Sequence, residues 1–321
     1  MSKLVNLIKN ENMKIYRRVR TWVLVGLLIG LVVAVSLINY SVENNMPDLN
    51  GQDWRTNLQY QVENDRAVLE HAEDLHEDTR ARLQRQLLIN EYRLEHDIPP
   101  DGSSLWNSVG ELSSFIFLVT ISTIVIAADI VANEFATGTI KMLLIRPASR
   151  SKILLSKYVA TLLFSLLLLV VLFVTSFVIS GILYGFSGAA TPHLYVTSDL
   201  VVKESPMFLQ VMKTYGLNSV QLIMLVTMAF MISSVFRSSS LAIGLSLMLL
   251  VMGDLFTAIF SRWEWGKYWL FANTNLMQYL DGNTPIIEGM TLPFSITVLA
   301  VYYVLFMVLS WTIFVKRDVA A

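Results

Sequence analysis

The chain has 321 residues, of which 54% are hydrophobic and only 15% charged, and it carries a formal net charge of −1. Those proportions exclude an ordinary soluble domain, whose surface takes about a quarter of its residues as charged ones. With no cysteine, disulfide staples, thiolate nucleophiles and cysteine-bound metals are excluded as well.

Residues 1–20 are basic and place Leu4, Ile8, Ile15 and Val19 near one helical face, with Leu7 beside them. Such a helix is predicted to lie flat in the headgroup layer on the cytosolic side. The first apolar run, 21–41, contains a small pair, Ala34 and Ser36, of the kind a signal peptidase accepts. It continues through Leu37, Ile38 and Tyr40, longer than a cleavable signal needs, so a retained span is expected.

Residues 42–106 differ in kind. Positions 42–105 hold fourteen acids against six arginines and no lysine, a local net charge of −8. From Asp53 to Asp97 there is no Gly or Pro, and Leu58, Val62, Leu69, Ala72, Leu75, Leu83, Leu87 and Leu94 recur at spacings near three and four. A single helix of this length would stand about 65 Å tall at 1.5 Å per residue. Because the chain must return to the same membrane face, a helical hairpin is predicted, bending near His76 to Thr79 and ended by Pro99 and Pro100.

Five more apolar runs are long enough to cross a hydrocarbon core about 30 Å thick: 107–132, 158–184, 216–236, 239–260 and 291–315. Between them lie a basic link at 133–157, an outer loop at 185–215 and an outer segment at 261–290; a tail follows at 316–321. The outer segment crowds Trp263, Trp265, Tyr268, Trp269 and Phe271 together, as expected of an interfacial or re-entrant stretch. An even number of spans puts both termini on one side. With the N-terminus inside, the inner segments hold 14 of the 24 Lys and Arg residues, so both termini are expected in the cytosol. The predicted fold class is an all-α membrane protein: six transmembrane helices, an N-terminal interfacial helix, and an extracytoplasmic helical hairpin between the first two spans.

The chain has no G-x-x-x-x-G-K-[ST] loop, no H-E-x-x-H and no G-x-S-x-G elbow. His71 and His76 are five apart, and a helix would rotate them away from a shared metal. No catalytic residue, metal site, enzymatic reaction or nucleic-acid partner is expected. Three acids fall within the spans: Glu111, Asp129 and Asp254. A charge at the bilayer centre costs about 2.5–3.5 kcal/mol on insertion scales, and no Lys or Arg lies deep in a span to pair with them. Asp254 reads equally as a structural hydrogen-bonding group or as a lining residue of a translocation path, whereas Asp129 and Glu111, nearer the span ends, read first as structural or interfacial groups and second as residues of the same path.

The link at 133–153 reads NEFATGTIKMLLIRPASRSKI. Gly138 and Thr139 break the preceding helix, Ile140, Leu143 and Leu144 form an apolar set, and Pro147 precedes a basic run to Lys157. Spacing alone permits either a short amphipathic helix across the membrane surface or an ordinary positive loop that holds topology. The pattern E-x-x-x-G-T-I-K-x-L-L-x-x-P-x-S-R-x-x-I-x-x-S-K, from Glu134 to Lys157, resembles the element between the second and third spans of bacterial ABC-2-type permeases, the membrane subunits of ATP-driven exporters. The likeness is close over these 24 residues and looser over the whole chain. A large hairpin after the first span departs from the family's general pattern.

That resemblance implies a coupling helix docked on a cytosolic ABC ATPase subunit, with Glu134, Gly138, Thr139, Lys141, Arg146, Pro147, Ser149 and Arg150 in the contact region. It also implies a second permease copy or paralogue, a bacterial plasma-membrane location in contact with lipid, and ATP and Mg²⁺ held by the partner, with no cofactor in this chain. Export of a peptide, antibiotic or lipid-like substrate follows as the expected function. Two other readings stay open: a sensor or immunity protein whose acidic hairpin captures a cationic peptide or antibiotic, and a scaffold that works with no ATPase.

Overall fold

The structure, a computed structural model, describes residues 2–45, 54–71, 77–100, 104–139, 149–186, 192–197, 199–236, 238–280 and 285–316. Its long apolar runs are helices, because a chain in hydrocarbon must satisfy every backbone N–H and C=O within itself. Six are long and apolar enough to cross a membrane: α2 (Val19–Asn45), α5 and α6 together (Leu105–Leu112 and Ile116–Ala136), α7 (Arg150–Tyr184), α8 (Met207–Val235), α9 (Ser239–Phe260) and α11 (Leu292–Lys316). The protein is an all-α membrane protein. Crossing six times puts α1 (Ser2–Tyr16), the α6–α7 link, the α8–α9 turn and the end of α11 on one side, called here the α1 side.

On the other side, α3 (Trp54–His71) and α4 (Glu77–His96) run antiparallel. Arg66 pairs with Glu91 at 2.5 Å, and Arg55 pairs with Asp97. Helix has resumed by Glu77, within the stretch where the bend was expected. The outer loop at 185–215 holds an antiparallel ribbon, β1 (Pro192–Val196) and β2 (Val202–Pro206), in register from Pro192–Pro206 to Val196–Val202. Leu194 and Val196 are buried, α4 packs on both strands, and Tyr92 Oη donates to Glu204 Oε1 at 3.2 Å. β2 runs directly into α8 at Met207, nine residues ahead of the expected start of that span.

Two further boundaries differ from expectation. Ser149 caps α7, its Oγ accepting from the Lys152 N–H at 3.4 Å. The basic stretch Arg150–Lys157 is therefore the opening of a 35-residue helix and not part of the link. Val19 is 78% exposed and begins α2, so it lies off the packed face of α1. That face is formed around Glu11 and Ile15, both buried, and packs against α7.

The centre of the bundle is α6 against α8. Ala127, Ala128 and Ala132 on α6 and Ala229 and Ser233 on α8 are all buried, and small residues let two helices approach closely in a membrane. The Val131 and Ala132 N–H groups reach Ser233 Oγ at 3.2 and 3.0 Å. Other buried hydroxyls return to their own helix, among them Thr120 to Ile116 O and Ser246 to Ala242 O, while Ser180 donates across to Ser108 Oγ at 2.9 Å.

The aromatic segment between α9 and α11 forms a folded cap that includes α10 (Leu270–Thr274). Asn273 is fully buried. Its Nδ2 donates to the Lys267 and Trp269 carbonyls at 2.8 Å, and its Oδ1 accepts from Ser295 Oγ at 2.7 Å, which ties the cap to the first turn of α11. Phe271 lies flat on Gly253 of α9, where a Cβ would overlap its ring. Gly253→Ala is therefore expected to cost about 1–3 kcal/mol by overpacking, read as a lower melting temperature in detergent. Unchanged melting would show that the cap yields without penalty.

Candidate functional site: an ion cluster on the α1 side

The link between α6 and α7 leaves from Glu134, in the last turn of α6, and returns through Lys157, two turns into α7. Lys157 is fully buried, and an ammonium there needs acceptors for its three protons. It donates to Glu134 Oε1 at 2.5 Å, to Glu11 Oε2 at 2.9 Å and to the Ile130 carbonyl at 3.3 Å. Lys14 bridges the same two acids from α1, reaching Glu11 Oε1 at 2.6 Å and Glu134 Oε1 at 3.2 Å. Glu11 and Lys14 are three apart and share a face of α1, so one helical turn supplies both charges.

A second set lies beside it. Asp129, one turn and a half before Glu134 on α6, accepts from Arg18 Nη1 at 2.6 Å and from Arg20 on the same oxygen; its other oxygen takes Ser239 Oγ from the first residue of α9. The sharp α1–α2 corner sets the arginines in place. Thr21 Oγ1 and Trp22 Nε1 donate to the Ile15 and Tyr16 carbonyls at 2.6 and 2.9 Å, satisfying acceptors that the end of α1 leaves open.

Glu11, Lys14, Glu134 and Lys157 of the first set and Arg18 and Arg20 of the second line one cavity of about 30 Å³, room for about one water molecule. Four cations stand against three carboxylates, so the cluster carries one positive charge in excess. The arrangement makes the docking of α1 depend on Glu134 and Lys157 staying together at the two ends of the link.

Burial pushes the Glu11 carboxyl up, but the Lys157 and Lys14 ammonium groups outweigh it and hold the pKa below its ordinary 4.5. Burial likewise lowers Lys14, yet Glu11 and Glu134 raise it above 10.5. A depressed carboxylate pKa contributes stability that is present above the ordinary value and lost as pH falls through the lowered one. A raised lysine pKa contributes stability that is lost only as pH rises above 10.5. Hydrogen-exchange protection of residues 2–16 should therefore hold through neutral pH and fall below the ordinary Glu value. Protection that rose on acidification would overturn this assignment.

Of the residues the sequence singled out, Glu134 and Asp129 lie within the cluster. Gly138, just past the end of α6, has φ +71, the left-handed conformation common after a helix end. Thr139 is exposed, and Ser149 is the α7 cap. Arg150 Nη1 donates to the Val315 carbonyl near the end of α11 at 3.0 Å. Lys141, Arg146 and Pro147 lie outside the described residues. Glu111 and Asp254 are exposed on α5 and α9, remote in sequence from the cluster. Sequence reasoning missed Glu11, Lys14, Lys157 and the two arginines as a unit; no base lies deep in a span, and Asp129 meets Arg18 and Arg20 from the α1–α2 corner instead. One signal was available: Glu11 is the only acid before Glu43.

Fold and cluster define a multi-pass membrane protein whose N-terminal helix is pinned to the paired ends of an interhelical link. The chain belongs to the family described as "Protein of unknown function (DUF2705)", which matches residues 83–320. It is 43% identical over 324 residues to the "Uncharacterized protein YhcI" of Bacillus subtilis (strain 168), covering 99% of this chain and all of that relative. It is 33% identical over 218 residues to the "Uncharacterized membrane protein YdbK" of the same organism, covering 66% of this chain and 84% of that relative.

Proposed function

We propose that this chain is the permease subunit of an ATP-driven exporter in the bacterial plasma membrane. In this reading the α1 side faces the cytosol, and the link at 137–149 is the element on which a separate ATP-binding subunit acts. The observation that carries it is the 2.5 Å pairing of Glu134 with Lys157 at the two ends of the link, locked by Glu11 of α1. The likeness of Glu134–Lys157 to the ABC-2 coupling element supports the same reading.

A partner moves a conformational equilibrium only by binding its two states differently. A link anchored by separable ion pairs supplies such a difference. Drawing its ends apart breaks contacts to Lys157 and frees α1, while α6, through Asp129 and Ser239, carries the displacement to the α8–α9 turn. This chain supplies the lever and the path; nucleotide and Mg²⁺ belong to the partner.

Extraction from the native membrane in mild detergent, with an affinity tag at the C-terminus, is expected to bring down a nucleotide-binding subunit that hydrolyses ATP. Recovery of this chain with no such subunit, under conditions that preserve its fold, would count decisively against the proposal.

A further inference from the structure

A second cavity, of about 200 Å³, opens among α6, α8 and α9. Ser113 and Ser114, in the 3₁₀ turn that interrupts α5 and α6, line it together with Asn218 and Gln221 of α8, over an apolar floor that includes Phe117 and Leu250. Its depth follows from position: Ser113 and Ser114 come eight and nine residues after the second span begins at Leu105, and Asn218 and Gln221 stand near the start of the apolar run at 216–236, so the cavity lies in the half of the bundle away from α1. Asn218 and Gln221 are half-buried and open on the cavity, and an amide that faces hydrocarbon without a partner costs several kcal/mol. Among the described residues, neither amide nor either serine hydroxyl has a side-chain hydrogen bond, and acyl chains offer none. The cavity is thus built to hold something polar.

Its charge surroundings narrow the class. No cationic side chain lines it. Neither Asp254 nor Glu111 is part of the lining, but Asp254 lies one helical turn past Leu250 on α9 and Glu111 three residues before Ser114, both on the side away from α1; both are exposed and without an ion-pair partner among the described residues. A carboxylate in a low-dielectric setting attracts a cation strongly. We propose that this cavity is a binding site for a cationic amphiphile, whose hydrogen-bonding head meets Asn218, Gln221 and the two carboxylates while its apolar body lies on Phe117 and Leu250. The volume is below the roughly 300–1,000 Å³ of drug-sized sites, so it takes one end of a longer molecule. Its role as a substrate site rests on the export reading, whereas binding itself needs no ATPase. Failure of either can therefore be told from failure of the other.

Because the chain has no cysteine, single-cysteine variants report cleanly. Gln221→Cys, reconstituted in phosphatidylcholine vesicles, is expected to react with a charged, water-borne methanethiosulfonate roughly tenfold faster than Val170→Cys on the exposed outer face of α7. Sublytic dodecyltrimethylammonium should slow that reaction severalfold, while dodecyl sulfate and dodecyl maltoside should not. Adding Asp254→Asn should abolish the protection and leave the unprotected rate and the melting temperature unchanged. A rate equal to that of Val170→Cys would show a lipid-filled cavity. Equal protection by all three surfactants, or protection that survives Asp254→Asn, would remove the cation selectivity; each of these results overturns the proposal.

Discussion

Lys157→Met is expected to destabilise the protein by about 3–5 kcal/mol, the range for removing one partner from a buried ion pair. Methionine fills much of the same volume, so the loss is electrostatic and not a cavity effect. Lys157 is fully buried and serves Glu11, Glu134 and the Ile130 carbonyl. Without it, two carboxylates of low exposure face one another with only the half-exposed Lys14 between them. Adding Glu134→Gln to Lys157→Met should restore part of the loss, because it removes one of the stranded charges, and the deviation from additivity measures the coupling. Lys157→Arg should lie between methionine and the native residue. Thermal unfolding in detergent and protease access to residues 2–16 read both effects. A Lys157→Met protein that melts like the native one, with α1 still protected, would mean the cluster bears no load.

On the exporter reading proposed above, Glu134→Gln alone is expected to act on coupling more than on stability. Glutamine keeps an oxygen for Lys157, and Glu11 remains to neutralise it. The pull that closes the ends of the link is weakened all the same, since Glu134 Oε1 takes both Lys157 and Lys14. Coupling free energies between sites are typically about 1–3 kcal/mol, or about 5- to 150-fold. Transport-linked ATP hydrolysis of the assembled complex should fall within that range, with membrane insertion intact. Full coupling in a Glu134→Gln complex would move the transmitting role elsewhere on the α1 side.

The arrangement of the cluster explains why it was hard to read. Helical periodicity reports which side chains separate from water, and by that measure Glu11 belongs on a wet face. It is buried because Lys157, 146 positions away, waits on α7. Val19 is apolar and fits the predicted stripe, yet it lies beyond the corner that ends α1 and is exposed. The ribbon at 192–206 escaped for a different reason: two five-residue strands with proline at their outer ends show too little alternation to stand out, and α4 and α8 both pack on them.

Composition and apolar run length alone determined that this is an all-α membrane protein with six spans, because the cost of leaving backbone groups unpaired in hydrocarbon acts locally on every long apolar run. Only the tertiary structure decided that Glu134, Lys157 and Glu11 share one buried site, and that Asn218 and Gln221 open on a common cavity with Ser113. A fully buried charge such as that of Lys157 is tolerated only beside its partners, and partners from distant helices meet only when the bundle is closed.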